Sequence, residues 1–247
     1  MFNRKEHIIV GLATFHLEFL RISIPAIGKL KQKIYLIVHN SNPAETIRRA
    51  QIRKLGFHGP IHIINARLNA GRMQSRLDTL SAAEKLRIKS QWCIFVDDGD
   101  ILLDLDIPKV QSNNFAVIQN MAFIRRRLLD LLRAMDNPKN CSIDILERPH
   151  LGINGTLMRT GLMLKLGKMI ESLKPQIHET DASLGLLAPE DMLMWTYLQM
   201  YARHEDPHAT AIYMDHTNYI ATNFDSEPQK YQDNIMQRYC DLFSEIL

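Results

Sequence analysis

Four apolar runs recur along the first hundred residues: HIIVGLATF from His7, KIYLIVH from Lys33, IHIIN from Ile61 and WCIFV from Trp92. Runs this short and this rich in Ile and Val are strand-like, and strands buried on both faces read as continuous apolar segments. Each pair of runs is separated by a stretch of helical length, long enough for the crossover that a parallel strand pair requires. The order βαβαβαβ predicts an α/β fold with a mainly parallel central sheet flanked by helices. Sheets of this kind take ligands at the carboxyl ends of their strands.

The punctuation between the runs predicts where the helices lie. After the second run, Asn42, Pro43 and Glu45 read as an N-cap, a first-turn proline and an acid at the third helical position, and Gly56 reads as the stop. Over Gly71 to Lys89, the spacing of Met73, Leu77, Leu80, Ala83 and Leu86 predicts an amphipathic crossover helix. Further on the pattern loosens. It offers an apolar run, FAVIQ, at Phe115, a basic and apolar helix from Arg125 to Met135, and a less regular stretch through Gly155. A helix then starts at Pro189, with Met192, Trp195, Leu198 and Met200 on or near one face, and an amphipathic helix runs from Pro228 to Leu247. No linker rich in Pro, Gly or Ser divides the 247 residues, so one domain over 1–247 is expected, with 1–106 and 107–247 as its functional halves.

The fourth run ends in an electrostatic problem. Trp92 to Leu102 reads WCIFVDDGDIL, which sets Asp97, Asp98 and Asp100 where a strand leaves the core. Two carboxylates about 4 Å apart repel by about 4 kcal/mol at an effective dielectric near 20. A shared proton or an intervening cation relieves that repulsion, and a solvated turn with Asx-type hydrogen bonds avoids it. A hard divalent cation, Mg²⁺ or Mn²⁺, prefers such oxygens and keeps positions open for a substrate's phosphates.

Charge is divided along the chain. Residues 1–90 hold 16 Lys and Arg against 5 Asp and Glu, and residues 91–247 hold 14 against 22. That division suits a ligand that is an anion at one end and meets a metal at the other, although most of these charges are solvated helix faces. Nucleic acid is not expected as a partner, because the basic residues lack aromatic interleaving or a recognition motif. Cys93, Cys141 and Cys240 are odd in number and widely spaced, which fits a reducing cytoplasm and no zinc site. The opening apolar stretch is broken by His16, Glu18 and Arg21, and no apolar run approaches ~18 residues, so neither a signal peptide nor a membrane span is expected.

The order of these motifs resembles the GT-A glycosyltransferases, in particular the family 2 type, which transfers a sugar from a nucleotide diphosphate. Ala13-Thr14-Phe15 is similar to the end of the family's opening strand, which lines the nucleotide pocket. His39-Asn40-Ser41 stands where the family usually has an aspartate followed by Asn or Gly and Ser; the aspartate is missing here, but Asn40 has an amide able to hydrogen-bond a base. Asn69-Ala70-Gly71-Arg72 followed by Arg76 resembles the Asn-x-Gly turn and the arginine on the helix behind it. The DDGD segment resembles the metal-holding aspartate motif. Its usual Asp-x-Asp spacing fits Asp98 and Asp100, whereas a gap-free overlay on the strand makes Asp97 the first acid. Ile153 to Arg159 is similar to the glycine-containing segment of the sugar pocket, Pro189 to Trp195 resembles the Glu-Asp helix start followed by an aromatic, and His216 resembles a late histidine of several members.

The resemblance implies a GT-A fold and a metal-dependent, inverting transfer from a nucleotide-diphosphate sugar, expected to be a UDP-sugar, to a glycan or lipid-linked acceptor hydroxyl. It implies substrate contacts from Thr14, Phe15, Asn40, Asn69, Gly71, Arg76, Asp97, Asn154, Gly155 and Trp195. Mn²⁺ or Mg²⁺ would sit on Asp98, Asp100 and His216, and Asp191, beside Glu190, would be the general base. A sugar-phosphate nucleotidyltransferase is the competing class, although the segment after the first strand, ATFHLEFLR, lacks a glycine-rich phosphate loop. A non-catalytic sugar-binding relative is the third class, suggested by the missing aspartate near Asn40. The sugar and acceptor are expected to depend on loops around residues 136–188. The expected place is the cytoplasm, with Lys29, Lys31, Lys33, Arg48, Arg49, Arg53 and Lys54 available to dock an anionic inner membrane face at about 1 kcal/mol per basic residue near the surface.

Overall fold

A computed structural model describes residues 7–69, 71–98, 100–102, 105, 107, 115–117, 120–124, 154–184, 193–194, 196–197, 200, 203–205 and 210–214. The four apolar runs form strands β1 (Ile8–Thr14), β2 (Ile34–Asn40), β3 (Ile61–Asn65) and β4 (Trp92–Asp97). Between them lie α1 (Leu20–Gly28), entered through a single 3-10 turn over Leu17–Phe19, α2 (Arg49–Lys54) and α3 (Gly71–Lys85). The chain continues with β5 (Ile101–Leu102), β6 (Phe115–Val117), β7 (Asn120–Ile124) and β8 (Leu157–Arg159). Then follow α4 (Thr160–Leu184), β9 (Arg203–Glu205) and β10 (Thr210–Met214).

The main sheet runs β3-β2-β1-β4-β8-β6-β9. Its first four strands are mutually parallel, and β8 is antiparallel to both β4 and β6. Strands β5, β10 and β7 form a separate three-stranded sheet. The fold is therefore α/β, with a mostly parallel central sheet flanked by helices. Strands from both sequence halves share the main sheet.

Strand alternation splits the core into two layers. Ile8, Val10, Leu12, Leu36, Val38, Ile94 and Val96 pack with Leu20, Ile24 and Ile27 of α1 and Ile52 of α2. Ile9, Ile37, Cys93 and Phe95 pack on the other side with Leu77 and Leu80 of α3 and Leu162, Met163 and Leu166 of α4. Phe95 lies against β1 because residue 11 is glycine: a Cβ there would stand 2.8 Å from Phe95 Cδ1 and 2.8 Å from Thr79 Cγ2.

Three expectations are corrected. The helix foreseen from Asn42 begins at Arg49 instead. Asn42 Oδ1 accepts from Ala44 N–H at 3.0 Å, an Asx turn, and Asn40 Nδ2 donates to the Glu45 carbonyl at 2.8 Å. Asn65 at the end of β3 accepts from Ile47 N–H at 2.9 Å and donates to its carbonyl at 3.2 Å, which occupies the backbone groups a helix would use. The foreseen stop at Gly56 does follow the helix, at a φ of 98°. The crossover helix ends at Lys85, so Leu86 is exposed rather than packed, and Arg87 at φ 50° turns the chain away. Within the span expected to be loop, residues 160–184 are one helix, with Leu162, Leu166, Ile170 and Leu173 repeating on its buried side. Of the helix expected from Pro189, Leu193, Met194 and Tyr197 are helical and buried in the α3 and α4 layer. Met192, Trp195, Leu198 and the helices expected over 125–135 and 228–247 lie outside the described residues.

Candidate functional site

The register sets the site. β1 ends with Thr14 beside Asn40 of β2, Asn40 lies beside Asn65 of β3, and Ala13 lies beside Asp97 of β4. Four carboxyl ends thus line one edge of the sheet.

The three carboxylates are separated rather than shared. Side chains alternate along a strand, so Asp97 lies on the side of α3 and Asp98 on the side of the loop after β1. Asp97 meets two arginines of α3. Arg72 Nη1 is 3.4 Å from its Oδ2, and Arg76 Nη2 is 3.7 Å from its Oδ1. Arg76 is only 1% exposed, so its charge is held inside the protein against Asp97. Asp98 Oδ2 accepts three donors: the Thr14 hydroxyl at 2.8 Å, Phe15 N–H at 3.0 Å and His16 N–H at 3.0 Å. Asp98 N–H donates to the Ala13 carbonyl at 2.9 Å and extends the β1–β4 ladder by one step. Asp100, which is buried, accepts from Asn154 Nδ2 at 2.5 Å, and Asn154 Oδ1 accepts from Asp97 N–H at 3.1 Å. One amide thereby clamps both ends of the DDGD turn, and Gly155 N–H is bound to the Phe95 carbonyl at 2.8 Å.

The expected nucleotide residues fall on this edge. Thr14 is buried, while the Phe15 ring is 40% exposed. Asn69 Oδ1 accepts from Gly71 N–H at 3.1 Å, and Gly71, at φ 83°, takes the left-handed conformation that lets α3 start beside Asp97. Asn40 is different. Its Nδ2 serves the Glu45 carbonyl and Asn65 Oδ1, its Oδ1 accepts from Asn42 N–H, and it is fully buried. In this conformation its side chain braces the chain. Gly99, Glu190, Asp191, Trp195 and His216 lie outside the described residues.

Behind the edge sits a polar chain, buried at His39, Ser41 and Ser75, that sequence reading did not foresee. His39 Nε2 is 3.0 Å from Asp78 Oδ2, and His39 Nδ1 is 3.2 Å from Ser41 Oγ. Ser41 Oγ is in turn 2.8 Å from Ser75 Oγ. Asp78 also accepts from Gln74, which accepts from Lys174 of α4, each at 2.8 Å. These bonds tie β2, α3 and α4 together under the site. Arg72, in the first turn of α3, opposes the helix dipole unless an acid faces it. Asp97 is that acid.

Cys93, inside β4, is buried, and its thiolate form is disfavoured there. Burial pushes its thiol up to about 12, against the smaller opposite effect of the Thr160 hydrogen bond.

Among the described residues no group of three or more His, Cys, Asp and Glu is placed to hold a metal ion. The carboxylates still fit a cation of the Mg²⁺ or Mn²⁺ kind, which takes one or two carboxylate oxygens and completes its shell with phosphates and water. Asp98 meets that need, because its Oδ1 takes no hydrogen bond from the described residues while Oδ2 anchors the group.

The basic residues do not act as one surface. Arg72 and Arg76 stand at the carboxyl edge, whereas Lys29, Lys31 and Lys33 lie just before the amino end of β2, about 20 Å away along a seven-residue strand. Gly28 and the Gly56 carbonyl approach so closely that a Cβ on Gly28 would stand 2.8 Å from that oxygen, which brings the ends of α1 and α2 together at the amino edge. The lysine cluster of the expected membrane dock, Lys29, Lys31 and Lys33, is thus remote from the carboxylates. Among the described residues no helix is long and apolar enough to cross a membrane.

No protein-family model and no curated protein sequence matches the chain. In structure the chain is similar to a crystal structure of S. aureus TarS 1-349, with 12% identity, coverage of 95% of this chain and 70% of that one, and a TM-score of 0.47. A likeness of that size carries no argument about donor, acceptor or chemistry.

Proposed function

We propose that the chain is a glycosyltransferase that moves a sugar from a nucleoside-diphosphate donor, expected to be a uridine one, to a hydroxyl of a glycan or lipid-linked acceptor. The observation that supports this reading is the gathering, at the carboxyl edge of β1 and β4, of three separately anchored carboxylates, two arginines and an exposed aromatic ring. Phe15 offers its face to the base. Thr14 and the Asn69–Gly71 turn border the nucleotide, Arg76 stabilises the edge through Asp97, and Asn154 and Gly155 line the sugar side. Asp98, with Asp100 and His216, would hold Mn²⁺ or Mg²⁺, which would supply charge neutralisation for the diphosphate leaving group. Asp191, with Glu190 beside it, takes the proton of the acceptor hydroxyl, and a single displacement inverts the anomeric carbon. A positioned base of this kind contributes roughly 10²- to 10⁴-fold.

The test is a panel of nucleotide sugars with Mn²⁺, followed by calorimetry and by hydrolysis without acceptor. Release of a nucleoside diphosphate is the expected result. Pyrophosphate formation favours a nucleotidyltransferase, binding without turnover favours a non-catalytic relative, and no binding across the panel overturns all of these. In Asp191→Asn the fold is expected to survive while transfer falls by that 10²- to 10⁴-fold.

A further inference from the structure

We propose that Asp98 is a positioning residue that latches the loop after β1 and so holds Thr14 and Phe15 in place at the edge of the sheet. Besides this carboxylate, the loop is fastened by Ser41 N–H, which donates to the Thr14 carbonyl at 2.8 Å, and by Leu17, which packs against the core beneath α1. Phe15, His16 and Glu18 are exposed, and Leu17 and Phe19 are only half-buried. The His16–Glu18 ion pair is 3.8 Å long between two exposed side chains, a geometry that contributes little. The ring contacts, Phe15 with His16 at 5.1 Å and His16 with Phe19 at 5.5 Å, lie within the loop and do not fasten it to the sheet. Asp98 Oδ2 is what crosses from β4. It draws together a side-chain hydroxyl and two consecutive backbone amides more than 80 residues away in sequence, just ahead of the 3-10 turn that leads into α1. Hydrogen bonds to an ionised acceptor are the stronger kind, and here three of them converge on one atom.

The latch is a task of Oδ2 alone, distinct from any metal contact through Oδ1. It rests on the glycosyltransferase reading only for what the loop would touch. An asparagine at 98 keeps an oxygen that can accept the same three donors but lacks the charge, so it separates the two tasks.

The experiment is amide hydrogen exchange of the free protein, without metal or nucleotide, read at Phe15 and His16 with Ile9 of β1 as the internal control. In Asp98→Ala both loop amides are expected to exchange roughly 10- to 100-fold faster while Ile9 is unchanged. Asp98→Asn is expected to retain most of the protection. Thr14→Val, which removes one donor and leaves the carboxylate, is expected to exchange a few-fold faster at the same two amides, and it decides the matter if Asp98→Ala does not fold. Wild-type amides without protection, an unchanged Thr14→Val, or Asp98→Asn exchanging as fast as Asp98→Ala would each overturn the proposal. A donor panel that shows no binding would overturn the functional reading and leave these exchange results standing.

Discussion

The two sides of the central sheet are packed by different chemistry. The α1 and α2 side is mainly aliphatic, from Ile8, Val10 and Leu12 across to Leu36, Val38, Ile94 and Val96, with Phe57 and Trp92 as its aromatic members, and its polar edge is satisfied largely by backbone groups. The α3 and α4 side mixes Cys93, Phe95, Met158 and Met163 with leucines, and it buries charge at its edge. Arg76 faces Asp97 there, and His39 lies between Asp78 and Ser41. The difference teaches where stability and chemistry divide. One side supplies the apolar burial that holds the sheet, at about 25 cal/mol per Å² of apolar surface, and the other gives up part of that gain to keep charges in fixed positions.

Removing one member of the buried pair tests that contrast most severely. Arg76→Met leaves Asp97 facing the interior with a partner lost, and it is expected to cost about 3–5 kcal/mol in urea denaturation. Adding Asp97→Leu to it should recover much of the loss, because two apolar side chains replace two desolvated charges, while donor turnover should disappear. A double variant as unstable as the single one would mean that packing, not charge, sets the character of this side. On the aliphatic side, Leu36→Ala is expected to cost about 2–5 kcal/mol with no separate effect on activity in the fraction that remains folded.

Gly11→Ala sharpens the comparison from within the sheet. Its Cβ would press on Phe95 and Thr79, both on the α3 side, so an overpacking loss of about 1–3 kcal/mol is expected. Pairing it with Phe95→Leu should reduce that loss, and an additive result would place the strain elsewhere.

Cys93 gives a smaller, pH-dependent signal. Its folded-state value is raised, so its contribution to stability is complete below the ordinary thiol value of 9.0 and is lost as pH climbs from there towards about 12. The stability of wild type relative to Cys93→Ala should therefore fall between pH 8 and pH 11. At pH 8, peptide mapping after alkylation should find Cys93 unmodified in the native protein and labelled once it is unfolded.

The weakest effect expected is at the amino edge. Replacing Lys29, Lys31 and Lys33 with Gln should diminish any binding to anionic vesicles, and that binding should vanish as salt rises. Because these lysines stand at the far end of β2 from the carboxylates, nucleotide affinity should not change with them.

The strands and the flanking helices were legible because they follow from local pattern: short runs of branched residues, a glycine stop and a leucine repeat are read within ten or fifteen residues. The start of α2 was not, since Asn65, 18 residues downstream of Ile47, captures that residue's backbone before a helix can form. The leucine spacing of α4 is present in the sequence, but Gly161, Gly167 and Pro175 interrupt it, and its packing against α3 exists only in the fold.

The same division holds at the site. Sequence alone located the acids at a strand end, and strand alternation alone requires Asp97 and Asp98 to part to opposite sides of the sheet. Which donors meet them was decided only when the chain closed on itself. Asp98 takes its donors from residues 14–16, Asp97 takes Arg72 and Arg76, and Asp100 takes Asn154. Repulsion between neighbouring carboxylates is a local property that composition reveals, whereas its relief is a matter of distances between segments far apart in the chain, and those distances exist only in the folded state.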